Sequence, residues 1–338
     1  MGSSASRWIF GIAALLSTVP AVARDLTPEV RARLFAPTSD VLLDRQRVRV
    51  PMRGTDHAGN RKCPYFQVYV NGHGPFTFLY DTGASYALVS SKVVEAAKTP
   101  VMFDRNRERD VVQLDRISLG GVTLRNVWAI EDNSFGVDGN IGYPTLGTTN
   151  VLIDFARREM IVSRTAIPMP QSFVLPFDPT LPMPTVPVRI GKRTVPILID
   201  TGDDAYALEI KSDELGDAAT DSKAVAAAPV MNGAIKQSTS VVTLTDPVGL
   251  GPLRASHASI AINDGLPIGD FGYDALRQFR FQIDAKRRTV TFQPRFKGSA
   301  FTLRATAPTA PPRQSPPVHH RLRPVRSRPI TAVIHHIY

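Results

Sequence analysis

The sequence predicts an all-β chain built as two tandem copies of one β-rich lobe, and three matched segments carry that expectation. "VYVNGHGPFTFLYDTGASYAL" (68–88) has a counterpart in "VPVRIGKRTVPILIDTGDDAYAL" (186–208). "NIGYPTL" (140–146) matches "DFGYDAL" (270–276), and "LIDFARREMIV" (152–162) matches "QIDAKRRTVTF" (282–292). Spacing joins these matches into one repeat. Asp81 precedes Gly142 by 61 residues and Asp154 by 73, whereas Asp200 precedes Gly272 by 72 and Asp284 by 84. Both intervals lengthen by the same 11 residues, so the copies keep register and the extra length lies ahead of the Gly-Tyr motif.

The elements follow in chain order. Residues 1–23 read as an export signal: Arg7 is the positive region, Trp8–Leu16 the apolar run, and Ala21-Val22-Ala23 a small-residue cleavage site. The apolar run is shorter than the ~20 residues of a membrane span. The expectation is therefore a mature protein with no transmembrane anchor, periplasmic or secreted. Residues 24–44 are an N-terminal extension, 45–165 the first lobe, 166–184 a Pro-rich linker, 185–298 the second lobe, and 299–338 a Pro/Arg-rich disordered tail.

Within each lobe an alternating strand leads through a turn (Asn71-Gly72, Gly191-Lys192) to a second apolar strand that ends in Asp-Thr-Gly. Short helices are expected only after each triplet, at 91–98 and 211–218. The last match of each copy is a hairpin turning at Asp154 or Asp284.

Composition narrows the function classes. The formal net charge is +10, but residues 305–338 alone carry Arg313, Arg321, Arg323, Arg326 and Arg328 with no acid. Basicity concentrated in a tail does not make the lobes a nucleic-acid surface, and no nucleic-acid partner is expected. Cys63 is the sole cysteine, which excludes an intrachain disulfide and thiolate clusters. His57, His73 and His257 have no zinc-like spacing, so neither a metal nor another cofactor is expected. Tyr143 and Tyr273 read as packing residues.

The chemistry lies in the triplets. "FTFLYD" and "VPILID" each end an apolar strand on a carboxylate, which is costly unless hydrogen-bonded. Threonine offers a hydroxyl to backbone across an interface, and glycine lets main-chain N–H groups approach the carboxylate. If a pseudo-two-fold axis brings the triplets together, two carboxyls about 3 Å apart share one proton. The ionised one then serves as base toward a water while the protonated one polarises a carbonyl.

The paired "DTGAS" and "DTGDD" turns, each followed by an apolar-Gly-Tyr motif, resemble the aspartic proteases, and retropepsin-like bacterial lobes more than pepsin. The resemblance spans about 45–165 and 172–298. It implies two tandem retropepsin-like closed β-barrel lobes related by a pseudo-two-fold, with an active-site cleft between them. Asp81 and Asp200 are the implied catalytic pair, supported by Thr82, Gly83, Ser85, Thr201 and Gly202. A β-hairpin flap would cover an extended peptide or protein substrate. "PVMNGAIKQSTSVVTL" (229–244), with Asn232-Gly233 at its turn, is the expected longer flap. The corresponding 100–114 is charged and lacks a turn glycine, and reads as a solvated connection at least as readily as a substrate contact.

Two features depart from the family pattern. Asp203-Asp204 follow the second triplet where the first has Ala84-Ser85. A carboxylate there either raises the pKa of Asp200 by repulsion or points outward and caps the turn. Asn140 and Asp270 stand where the family usually has an apolar residue. Two functions are therefore open: an exported aspartic endopeptidase active as a monomer, or a catalytically impaired relative that binds peptides or an envelope partner. Carboxyls within reach of a common water favour the first.

Overall fold

The computed structural model describes residues 27–35, 40–103, 110–178, 181, 183–221, 223–227, 229–232 and 235–305. The expected signal 1–23 lies outside them. Among the described residues the fold is all-β with a few short helices, and no helix is long and apolar enough to cross a membrane.

Alternation builds the first sheet. In Tyr65–Val70, Phe66, Val68 and Val70 are fully buried while Gln67 and Tyr69 face outward. The turn at Asn71 (φ 50°) and Gly72 (φ 85°) folds this strand back onto His73–Asp81, as expected of an Asn-Gly hairpin. His73–Asp81 pairs in parallel with Gly139–Gly142, which puts Asp81 opposite Gly142. Gly139–Gly142 pairs with Ala87–Val89, and that strand with Val122–Glu131. The long hairpin of Val111–Leu119 with Val122–Glu131 then returns to Tyr65–Val70, closing a six-stranded ring.

The second sheet repeats this order of pairings. Thr185–Ile190 pairs with Arg193–Ile199, which runs parallel to Asp270–Phe271 with Leu198 opposite Asp270. Its long hairpin, however, is split into two ladders. Ser240–Thr243 pairs with Ser259–Ile262, and Val248–Leu250 with Leu253–Ala255. Pro247 cannot donate to a ladder, and His257 sits at φ 49° on the other strand, so the strands break and the nine-stranded order stays open. The closed barrel expected of both copies is thus a closed ring in the first half and an interrupted one in the second.

A six-stranded sheet joins the halves. Asn150–Asp154 of the first terminal hairpin pairs antiparallel with Phe279–Asp284 of the second, and Leu152 lies opposite Gln282, its counterpart in the repeat. Asn150–Asp154 and Glu159–Ser163 are buried on both faces. Buried Asp154 is held there by Arg295, with Arg280 at 3.8 Å.

Several stretches read as connections are built into the core. In the extension, Val41–Leu43 adds an edge strand to the first sheet. Helix Pro28–Phe35 packs Val30 and Leu34 against Leu88, Val111 and Ile130. In the linker, Phe173–Pro176 pairs with Thr289–Pro294. Phe301 and Leu303, read as tail, are buried, and Ser259 N–H donates to the Leu303 carbonyl at 3.0 Å. The rest of the tail, 306–338, lies outside the described residues. Short helices follow the triplets at Ser91–Ala97 and Ser212–Leu215. Tyr143 and Tyr273 pack edge-on against Phe177 and Phe155.

Candidate active site

Each triplet sits where an apolar strand leaves its sheet, and both strands point their Asp into the seam between the halves. The loop after each strand folds over the Gly-Tyr motif. Tyr143 N–H donates to the Ala84 carbonyl at 2.9 Å, and Tyr273 N–H to the Asp203 carbonyl at 2.8 Å. A Cβ on Gly142 would collide with the Tyr86 carbonyl, and one on Gly272 with the Tyr206 carbonyl and the Asp203 carboxyl. The motif glycine is thus required by close approach, not by an unusual backbone angle. These contacts match Ala84 with Asp203 and Tyr86 with Tyr206. The extra residue of the second loop therefore falls between Asp203 and Tyr206.

The threonines bind the two loops to each other. Both are fully buried. Thr82 N–H donates to Thr201 Oγ1 and Thr201 N–H to Thr82 Oγ1, each at 3.0 Å. The Thr82 hydroxyl donates to the Ile199 carbonyl, and the Thr201 hydroxyl to the Tyr80 carbonyl at 2.8 Å. Every bond has its counterpart in the other half.

The carboxyls meet across this interlock. Asp81 Oδ1 accepts the N–H of Gly83 at 2.9 Å and of Ala84 at 3.1 Å. Asp200 Oδ1 accepts those of Gly202 at 2.7 Å and Asp203 at 3.2 Å. Asp81 and Asp200 are hydrogen-bonded to each other. A Cβ on Gly202 would lie 2.6 Å from Asp81 Cγ, and one on Gly83 would strike the Asp200 carboxyl. Each triplet glycine therefore makes room for the opposite aspartate, beyond presenting its own N–H. Ser85 is half-buried in the first loop.

The pair is asymmetric. Burial pushes both carboxyls up. For Asp81 this is opposed by the bond from Asp200, the N–H of Gly83, the Asn140 amide at 2.9 Å from Oδ2, and the N–H of Ala84. Asp200 is driven well above the usual carboxylate range by burial, then by the charges of Asp81 and Asp203. The two surroundings therefore differ: Asp81 accepts a side-chain amide, whereas Asp200 lies beside the further acid Asp203.

Asp203 does both things weighed for it. Its Oδ1 caps the turn by accepting Ala205 N–H at 2.8 Å, but it points inward, and its Oδ2 is buried without a hydrogen-bond partner. Asp204 turns the other way. It takes a bond from the Asn60 amide, and Lys62 Nζ donates to its carbonyl at 2.9 Å. Cys63 Sγ lies 3.5 Å from the Gly202 carbonyl. The segment 60–63 of the first half therefore clamps the second triplet loop. Its sequence carried no repeat or motif, so only a three-dimensional contact reveals it.

The expected flap is a hairpin in which Val230–Asn232 pairs with Ile235–Gln237. Asn232 is its last paired residue on one strand, and Gly233 lies outside the described residues. Its base is tied toward the site, with Gln237 donating to the Gly265 carbonyl at 3.0 Å and Thr239 in a hydrogen bond with Tyr206 OH at 3.3 Å. In the first half, Val101–Phe103 pairs with Val111–Leu119, so the stretch expected as a connection includes a hairpin strand.

A scan against protein-family models matches residues 66–145 to the aspartyl protease family. The matched stretch contains the first triplet and its Gly-Tyr motif, and the second triplet lies beyond it. No curated protein matches the chain. The match supports aspartic-type peptidase chemistry in general.

Proposed function

We propose that the chain is an exported aspartic endopeptidase, active as a monomer, whose halves are tandem retropepsin-like lobes related by a pseudo-two-fold. The observation that carries this reading is the hydrogen-bonded pair Asp81–Asp200 on two threonine-interlocked loops. The pseudo-two-fold is supported by the mirrored triplet bonds and by Leu152 lying opposite its own counterpart, Gln282. Export is supported by residues 1–23 and leads to the periplasm or the exterior.

The chemistry follows from the proton's place. Asp81, ionised, takes a proton from a water whose oxygen attacks the peptide carbonyl carbon, and Asp200 gives its proton to the carbonyl oxygen. The resulting tetrahedral diol collapses as Asp81 passes its proton to the leaving nitrogen, Asp200 recovers one from the diol, and the C–N bond breaks. Thr82, Gly83, Ser85, Thr201 and Gly202 shape the loops. The hairpin around Asn232 and Gly233 covers an extended peptide. Two carboxyls in direct contact favour this reading over a peptide-binding relative without catalysis.

The test is cleavage of a random peptide library by the wild type, Asp81→Asn and Asp200→Asn from acid to neutral pH. Cleavage by the wild type alone is expected. Cleavage surviving both substitutions, or none by the wild type at any pH, overturns the reading.

A further inference from the structure

Asn140 and Asp270 occupy one position in the repeat, second before the glycine of the Gly-Tyr motif. In the first half Asn140 lies opposite Leu79, and in the second Asp270 lies opposite Leu198, each two residues short of the triplet aspartate. Asn140 is fully buried and its Nδ2 donates to Asp81 Oδ2 at 2.9 Å. The opposite amide orientation would aim Oδ1 at a carboxylate, so the donor must face Asp81. Asp270, also buried, has no N–H to offer Asp200, and its Oδ1 is without a partner.

The surroundings differ in the same sense. Asp81 faces Asp200 and accepts the Asn140 side-chain amide at 2.9 Å. Asp200 faces Asp81 and Asp203, and Cys63 stands behind them. Asp270 faces Asp203, Asp200, Glu209 and Glu214. Glu209 lies opposite Asp270 in the sheet, where the first half places Leu88 opposite Asn140. The Asn263 amide donates to Glu209 at 2.8 Å and to Gln237 Oε1 at 2.9 Å.

We infer that Asn140 and Asp270 are positioning residues that decide which aspartate carries the shared proton. The Asn140 amide keeps Asp81 the carboxylate, and the matching position beside Asp200 holds Asp270 with no amide to donate, so the proton stays on Asp200. The two roles of the reaction are thereby assigned to fixed halves of the chain, although the backbone around the pair is nearly symmetric. This rests on the proposed function for its catalytic meaning, but the proton's place is measurable without catalysis.

The experiment is a carbon-13 NMR titration of aspartate-labelled protein, with Asp81 and Asp200 assigned through Asp81→Asn and Asp200→Asn. In the wild type Asp81 is expected to ionise first. In the exchange variant N140D/D270N the order is expected to invert. The pH profile of peptide cleavage is read in parallel. Asn140→Leu removes a hydrogen bond to a charge and moves the acid limb up by about one to two pH units. Asp270→Asn gives Asp200 a donor and moves the alkaline limb down by about one unit. Asp200 ionising first in the wild type, or both limbs unmoved in the two variants, overturns the inference. A wild type that titrates in the expected order yet cleaves nothing supports the inference and sinks the proposed function instead.

Discussion

The threonine interlock makes a demand on stability that a single substitution isolates. In Thr82→Val the shape is kept and the hydroxyl is lost. The Thr201 N–H, bonded to Thr82 Oγ1 at 3.0 Å, is left in a fully buried place with no acceptor. Stranding one buried donor costs about 1–3 kcal/mol. The Ile199 carbonyl also loses the Thr82 hydroxyl, a bond contributing about 0.5–1.5 kcal/mol net. The expected loss is therefore about 1.5–4.5 kcal/mol, a large share of a typical ~5–15 kcal/mol. Thr82→Ser keeps the hydroxyl and forfeits only a methyl, about 1 kcal/mol. Urea unfolding followed by the fluorescence of Trp128 compares the variants, with hydrogen exchange at the Thr201 amide as a local readout. A Thr82→Val variant within about 0.5 kcal/mol of Thr82→Ser, with Thr201 still protected, would refute the reasoning.

Three further outcomes follow from the same geometry. Gly202→Ala puts a methyl 2.6 Å from Asp81 Cγ and should lower kcat/KM for a cleaved peptide by about 100-fold, because a displacement of about 1 Å at a reacting group has that effect; an unchanged kcat/KM counts against close contact of the loops. Asp200, Asp203 and Asp270 are all raised well above the carboxylate range, chiefly by burial, so the native state holds protons that the unfolded chain releases above about pH 4. Stability is then fully present in acid and falls as pH rises toward the raised values; thermal midpoints measured from pH 4 to 7 should decline, and Asp203→Asn should flatten the slope. Asp154→Asn breaks the buried pairing with Arg295 and should cost about 3–5 kcal/mol in the same urea assay, with a loss below 1 kcal/mol contradicting a role for the shared sheet.

What could be read from the sequence was local or repeated. The triplet strands, the Asn71-Gly72 turn and both terminal hairpins follow from alternation and turn chemistry within a few neighbouring residues. The duplication added what one copy could not: that two carboxyls separated by more than a hundred residues belong together. What escaped depends on distant partners. Helix Pro28–Phe35 is only eight residues long, and its place follows from the contacts of Val30 and Leu34 with Leu88 and Ile130. Residues 299–305 read as tail because Phe301 and Leu303 are only two apolar positions, yet both find a pocket on the second half. The break in the second ring could have been read from Pro247, since proline interrupts a ladder. The clamp of Asn60 and Lys62 on Asp204 had no signal at all, being a contact between unlike segments.

The two acids after the second triplet can now be separated by what the repeat leaves free. Gly142 and Gly272 fix the main chain at Ala84 and Asp203 alike, so Asp203 has to lie over the motif glycine where its partner half carries only a methyl. Its carboxyl is forced inward, beside Asp200 and Asp270, and raises the cost of a charge on Asp200. Asp204 belongs to the stretch lengthened by one residue and has no such constraint. It leaves the loop and ties the second triplet to segment 60–63. The symmetric part of each loop thus fixes where the carboxyls stand, and the residues that break the repeat distinguish one carboxyl from the other.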